Sequence, residues 1–406
     1  MNVLFMSIGI FDDLSGSSVH IDILKRFAQD HNVYLVCKNE KKETQFSVEF
    51  GIHILRVRTD SLKMVGLIKK GIATLKVESE FKNAIKNYFS DVKFDLVLYT
   101  TPPITFASAV AFIKKRDNAL TYLMLKDIFP QNAVDLGMMS KTGIQGLIYN
   151  YFRKKEKELY KFSDFIGCMS PANCVYILRH NPEISPARVE VCPNITVIED
   201  MSIDTNARVS IRNRYNIPLD KKVFIYGGNL GKPQGIPFLI ECLKRQTFND
   251  VFFVVIGSGT EYPLLESFVK NEAPDNVMLL RSLPKTDYET LVAACDVGMI
   301  FLDYRFTIPN FPSRMLSYMK SKIPILAATD PNTDIGKIIV KGGFGWWCES
   351  NDVNGFISKV QEITELDAQD FLKMKDIEFG YLKDNYNPDV AYNTIISKCV
   401  ETSRFI

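Results

Sequence analysis

"FIYGGNLGKPQGIPFLIECL", residues 224–243, begins with three apolar residues, places four glycines within nine positions, and ends in an apolar stripe at helical spacing. This is the pattern of a buried strand, a tight turn and a helix with proline in its first turn. Gly227, Gly228, Gly231 and Gly235 let backbone or ligand come close, and Lys232 adds a cation beside the turn. The stretch lacks the spacing G-x-x-x-x-G-K-[ST], so it is not a P-loop. A tight βα connection with no ligand is the plainer alternative.

Working outward, the same alternation fills the chain. "NVLFMSI", "VYLVC", "IHILRV", "DLVLYT", "LTYLMLK" and "DFIGCM" precede it, and "VFFVVIGSG", "NVMLL", "DVGMIFL", "IPILAAT" and "GGFGWWC" follow. Short Val/Ile/Leu/Phe runs separated by amphipathic stretches predict parallel strands covered on both faces. Two sets predict an α/β protein with two Rossmann-like, doubly wound domains facing across a cleft. The polar stretch before "KVFIYGG" places the boundary near residue 200, giving domains at 1–199 and 200–385. The last segment, 386–406, reads as a helix after the Asn387-Pro388 turn signal.

The bulk composition excludes several classes. A chain of 406 residues with 46% hydrophobic and 24% charged residues suits two globular domains, and a formal charge of +2 does not suggest a nucleic-acid partner. The eight cysteines (Cys37, Cys168, Cys174, Cys192, Cys242, Cys295, Cys348 and Cys399) are scattered singly and the four histidines are dispersed, so free thiols and no metal site are expected. "MNVLFMSIGIF" reads as a first strand rather than a signal peptide. Without an uncharged run of about 20 apolar residues, the expected location is cytoplasmic, with attachment to a membrane surface as the only other option.

Two further junctions could meet the first. "FVVIGSGTEYPLLESFV" (253–269) is a strand, a Gly-x-Gly turn (Gly257, Gly259, then Thr260) and a helix. Tyr262 stands where a dinucleotide fingerprint wants glycine. "IPNFPSRMLSYMKSKIPIL" (308–326) delivers Phe311, Pro312, Ser313 and Arg314 to a helix start near Pro312. Arginine is unexpected there, because the positive end of the macrodipole repels a cation. A phosphate bound by the free amides and the guanidinium resolves the conflict. A surface arginine pointing into solvent is the alternative.

The segments "GSSVHIDIL", "LMLKDIFPQNAVDLGM", "SDFIGCMSPANCVYIL", "YGGNLGKPQGI", "VIGSGTE", "LLRSLPKTDYETLVAACDVG" and "FPSRMLSYMKSKIPIL" occur in that order over most of the chain. In this the sequence resembles bacterial family 4 glycosyltransferases of the GT-B fold, in the fucosamine-transferase-like branch of surface-polysaccharide synthesis. The resemblance implies a nucleotide-sugar site in the C-terminal domain, an acceptor site in the N-terminal domain, retention at the anomeric carbon, and a last helix that crosses back. It implies donor contacts at Gly16, Ser17, Gly228, Asn229, Gly231, Gly257, Gly259, Thr260, Leu283, Pro284, Phe311, Pro312, Ser313, Arg314 and Ser317.

The departures are specific. Pro309 and Ser317 occupy the positions of the family's glutamate pair, and Asn229 and Gln234 those of its diphosphate-clamping Arg and Lys. Arg314 and Lys232 are therefore expected to carry the charge, with no metal required. Asp127, at the end of a strand in "LKDIFPQ", is the expected acceptor-side base, with a structural Asp turn as the alternative. Gly16 and Ser17 sit in the first βα turn, where an N-cap by Ser15 or Ser17 is the simpler reading. "RVRTDSLKMVGLIKKGIATLK" (56–76) reads as a basic amphipathic helix for an anionic membrane, or as a solvated face over a core stripe. The expected reaction moves a sugar from a UDP-linked donor to a glycan or polyprenyl-diphosphate-linked acceptor in capsule, O-antigen or exopolysaccharide synthesis. An epimerase of the same fold and a non-catalytic glycan- or nucleotide-binding subunit are the rivals.

Overall fold

The apolar runs become parallel strands. The computed structural model describes residues 1–39, 43–59, 67–272 and 275–403. Contacts divide the chain into two units, Met1–Val197 with Asn387–Ile406, and Ile198–Tyr386.

In the first unit the strands are β1 (Asn2–Ile10), β2 (Asn32–Asn39), β3 (Gln45–Glu49), β4 (Ile52–Arg58), β5 (Leu96–Thr100), β6 (Leu120–Leu125), β7 (Phe165–Cys168) and β8 (Val189–Val191). Among the described residues they form one sheet in the order β3-β4-β2-β1-β5-β6-β7-β8. Only the β3–β4 pair is antiparallel. β3 escaped the sequence reading because an edge strand has one neighbour and alternates, leaving Phe46 and Val48 half exposed. Central β5 is buried at every position, as a strand covered on both faces must be. Ser18 caps the first helix, Val19–Ala28, by accepting the amide of Ile21 at 3.2 Å, a contact worth about 1 kcal/mol.

The helix Pro388–Ser403 belongs to this unit. Its Ala391, Tyr392, Ile395 and Cys399 recur at helical spacing and enter the same core as Val3, Phe5 and Phe27. Tyr392 also carries the Arg26 guanidinium 3.6 Å from its ring centroid.

The second unit holds β9 (Lys222–Asn229), β10 (Val251–Ser258), β11 (Val277–Leu280), β12 (Val297–Phe301), β13 (Ile325–Thr329) and β14 (Gly345–Glu349). Their order is β11-β10-β9-β12-β13-β14, with every pair parallel. All six were legible as apolar runs. The order reverses between β9 and β12, and ligands of such sheets bind beyond the carboxyl ends of the strands at that reversal. Tyr318, fully buried, bridges the two strands there: its hydroxyl donates to the Met299 carbonyl at 3.1 Å and accepts the Gly227 amide at 3.4 Å.

One expectation is corrected. The basic segment 56–76 is not a single helix, because Ile52–Arg58 is a strand. Arg56 is consumed internally, donating to the carbonyls of Phe11 and Asp12 and to Ser47 and Glu49. A helix does span Leu67–Tyr88, but Leu62 and Val65, and the side chains of Ile68, Lys69, Lys70, Ile72 and Leu75, lie outside the described residues. Among the described residues no helix is long and apolar enough to cross a bilayer. All eight cysteines are free thiols, seven of them buried.

Candidate active site

The turn after β9 and the helix Arg314–Lys320 meet at the strand-order reversal. The Arg314 guanidinium lies 4.2 Å from the centroid of the Tyr226 ring. A Cβ at Gly228 would come within 2.9 Å of its Nη2, and Gly228 itself takes φ +137°, where side chains are strained. Glycine there admits the guanidinium. The Nη1 nitrogen is buried and has no hydrogen-bond partner among the described residues. Arg314 is thus half-buried, not the solvated surface residue that its place at a helix start allowed.

The second glycine turn closes on the first. β9 and β10 pair in register from Lys222–Val251 to Asn229–Ser258. A Cβ at Gly257 would stand 1.9 Å from the Gly228 carbonyl oxygen, so only glycine allows this approach. Gly259 and Thr260 follow, and the Glu261 amide donates to the Leu230 carbonyl at 2.9 Å. Asn229 and Gln234, which replace the family's clamping cations, bond each other: the Asn229 amide donates to Gln234 Oε1 at 2.9 Å, and the Gly231 amide to the same oxygen at 3.2 Å. They brace the turn. Lys232 opens the short 3-10 turn Lys232–Gln234 and is exposed.

The helix start is shorter than expected. Arg314 is its first residue, Ser313 precedes it without a side-chain cap, and the helix runs only seven residues. A helix this short lends little dipole to this end, and the positive charge there is the packed guanidinium. Pro312 is half-buried, Ser313 exposed and Ser317 half-buried in the next turn. The Phe311 side chain is buried and packs toward Tyr386, with ring centroids 6.3 Å apart. Pro284 precedes the helix Lys285–Ala294, with Leu283 half-buried before it. Sequence reasoning missed three tyrosines. Tyr226 lies under Arg314, Tyr318 holds the strands one helical turn on from it, and the Tyr288 hydroxyl presses on Gly227, where a Cβ would stand 2.1 Å away. The spacing from Arg314 to Tyr318 was the available signal.

In the first unit Asp127 follows β6 at the carboxyl edge of the sheet. Asn132 Nδ2 donates to its two carboxylate oxygens at 2.8 and 3.0 Å. Its amide donates to Thr101 Oγ1 at 3.1 Å. Burial pushes its carboxyl up to about 6, against hydrogen bonds from the Ile128 amide and Asn132 that favour the ionised form. A carboxyl tuned near neutrality can take a proton from a hydroxyl and release it. The amide of its neighbour Lys126 donates to the same Thr101 Oγ1 at 3.0 Å, and Lys126 Nζ to the Pro193 carbonyl at 3.4 Å.

The first βα turn is arranged differently from expectation. Ser18, not Ser15 or Ser17, is the N-cap. Ser15 is bound to Asp13, and Ser17 Oγ donates to Asp22 Oδ2 at 2.9 Å. The Gly16 carbonyl accepts from Lys25 Nζ at 3.1 Å. Among the described residues no three His, Cys, Asp or Glu side chains gather as metal ligands would.

Comparison with known proteins follows this geometry. Residues 208–376, which include β9 to β14, match the family "Glycosyl transferases group 1". The chain is 25% identical to the probable glycosyltransferase WbjE of Pseudomonas aeruginosa over 333 residues, covering 80% of this chain and 78% of that one. It is 23% identical over 207 residues to the putative colanic acid biosynthesis glycosyl transferase WcaI of Escherichia coli, covering 51% and 49%. Sucrose-phosphate synthase from Thermosynechococcus elongatus superposes with a TM-score of 0.77 at 14% identity, covering 99% of both chains. Anabaena HepE in complex with UDP superposes at 0.69 and 14%, covering 99% of this chain and all of that one. Residues 208–376 thus form a glycosyltransferase group 1 domain, and the chain is a glycosyltransferase of the GT-B fold.

Proposed function

We propose that this enzyme transfers a sugar from a UDP-linked donor to a hydroxyl of a glycan carried on a polyprenyl diphosphate, with retention at the anomeric carbon, during synthesis of a bacterial surface polysaccharide. The observation that carries the reading is the Arg314 guanidinium, packed on Tyr226 against the Gly228 turn with Nη1 buried and unpaired. A buried cationic N–H without an acceptor is costly, and a diphosphate oxygen is the acceptor its position at the strand-order reversal supplies. Arg314 and Lys232 then stabilise the charge that develops on the leaving diphosphate. The glycine turns after β9 and β10 let the nucleotide approach the backbone. Asp127 serves the acceptor, orienting the attacking hydroxyl and taking its proton.

The relatives support the biology. WbjE and WcaI are named as glycosyltransferases, WcaI for colanic acid, and HepE is solved with UDP and with UDP-glucose. The test is a screen of nucleotide sugars for release of nucleoside diphosphate in the presence of polyprenyl-diphosphate saccharides. Release that depends on both substrates is the expected result. An isomerised donor with no acceptor added would replace the reading with an epimerase.

A further inference from the structure

The helix Gly143–Phe162 of the first unit has an apolar stripe that none of the described residues covers. Ile144 is 80% exposed, Leu147 71% and Tyr151 41%, and they recur at i, i+3 and i+7 on one face. Met138, just before the helix, is 42% exposed. Scattered apolar residues on a surface are ordinary, but an aligned stripe at one helix end is not. Exposed lysines stand at both ends of it, Lys141 before Ile144 and Lys154 after Tyr151. The nearest acidic side chains along the helix are neutralised: Glu156 is buried and paired with Arg153, and Glu158 is paired with Lys155 at 2.9 Å. The exposed face thus offers apolar side chains, a tyrosine and uncompensated cations.

The opposite face of the same helix holds the Asp127 loop. Phe152 meets Phe129 edge-on with centroids 5.1 Å apart, and it shares a small core with Ile104, Ala133 and Met139. One helix therefore carries the exposed stripe outside and fixes, inside, the loop assigned to the acceptor.

We infer that the N-terminal half of the helix Gly143–Phe162 lies on an anionic lipid bilayer, with Ile144 and Leu147 among the acyl chains, Tyr151 at the interface, and Lys141 and Lys154 against lipid phosphates. Charge selects this occupant over a protein partner. A cationic collar around a small apolar stripe suits anionic headgroups above hydrocarbon, and a tyrosine suits the boundary between them. The inference deepens the proposed function, because an acceptor on a polyprenyl diphosphate is presented at such a surface. It assigns membrane attachment to the helix Gly143–Phe162 instead of the 56–76 segment.

The test is flotation of the full chain with vesicles of phosphatidylcholine alone and with about one-third phosphatidylglycerol, neither holding acceptor. The parent should float with the anionic vesicles and lose most binding in high salt. Ile144→Ser with Leu147→Ser should weaken flotation about tenfold or more, since two apolar side chains no longer leave water. Lys141→Glu with Lys154→Glu should weaken it comparably and remove the salt dependence. All four side chains are exposed, so thermal stability and UDP binding should match the parent and certify the fold. A parent that does not float, or double variants that float equally well, would overturn the inference. So would a stripe that instead governs self-association in vesicle-free solution. Absence of UDP binding by the parent would sink the transferase reading while leaving vesicle binding as measured.

Discussion

Arg314 and Tyr226 form a cation–π pair, guanidinium carbon 4.2 Å from the ring centroid, in which the phenol ring covers one face of the cation. The ring cannot serve the in-plane N–H groups, and Nη1 remains buried without an acceptor. The pairing gains about 0.5–2 kcal/mol, whereas a buried donor left unmade costs about 1–3 kcal/mol. The two nearly offset, so the pairing by itself holds the side chain in place at little net gain.

Arg314→Ala should therefore weaken binding of UDP by roughly 1.5–3 kcal/mol, the range for hydrogen bonds to charged groups. Arg314→Lys should recover only part, because a point charge cannot reproduce the planar fork. Without nucleotide, the melting temperature of Arg314→Ala should stay close to the parent's. Calorimetric titration with UDP measures the first effect, and equal dissociation constants for parent and alanine variant would leave Arg314 a packing residue.

The β9–β10 contact gives a steric prediction. Gly257→Ala places a methyl 1.9 Å from the Gly228 carbonyl oxygen, and backbone cannot step aside as a flexible side chain can. The variant should lose about 1–3 kcal/mol of stability, as overpacking does, and lose UDP affinity because the Gly228 turn moves. Chemical denaturation and nucleotide titration test it together. A variant with parental values in both would show the two turns to be further apart than described.

Much of this was written in the sequence, for physical reasons. Parallel strands buried on both faces declare themselves as apolar runs, so "VFFVVIGSG" and "DVGMIFL" were legible without neighbours. β3 was not, because its identity comes from pairing with residues 52–56 of β4 across a short turn, which composition does not encode. Gly228 and Arg314 were both singled out, but their contact joins residues 86 positions apart through sheet order. Of the tyrosines around Arg314, Tyr226 and Tyr318 are core by burial. Their role is visible only once the cation is seen against them. The packing of Phe311 toward Tyr386 was likewise not legible, because it joins a loop to a residue 75 positions on.

Tyr226→Phe separates the ring from the hydroxyl. The hydroxyl donates to the Asn229 carbonyl at 2.6 Å, inside the glycine turn. Its loss should cost about 0.5–1.5 kcal/mol of stability, the net value of one hydrogen bond. The ring under Arg314 persists, so UDP affinity should fall far less than in Arg314→Ala. A drop as large as that of the arginine variant would mean that the turn's own geometry, rather than the guanidinium, binds the nucleotide.

Asp127 yields the pH dependence. Its carboxyl moves from an ordinary 3.8 to about 6 on burial. As a base it must be ionised, so the transfer rate below saturation should rise with pH through about 6 and level off above. Stability runs the other way. Between 3.8 and about 6 the folded chain keeps a proton that the unfolded chain has released, so this residue's contribution falls as pH rises across that window. The cost is fully present above about 6 and absent below 3.8. Asp127→Asn should abolish the acidic limb of the rate profile and lower transfer on the order of 10²-fold or more. It should raise stability at neutral pH relative to the parent, with the gain fading in acid. The variant has a partner ready: Asn132 Oδ1 is buried without a donor, and a flipped amide pair satisfies it. UDP affinity should be unchanged, because Asp127 is not among the expected donor contacts. Near-parental transfer with an intact acidic limb would make Asp127 a residue of loop structure and move the base elsewhere.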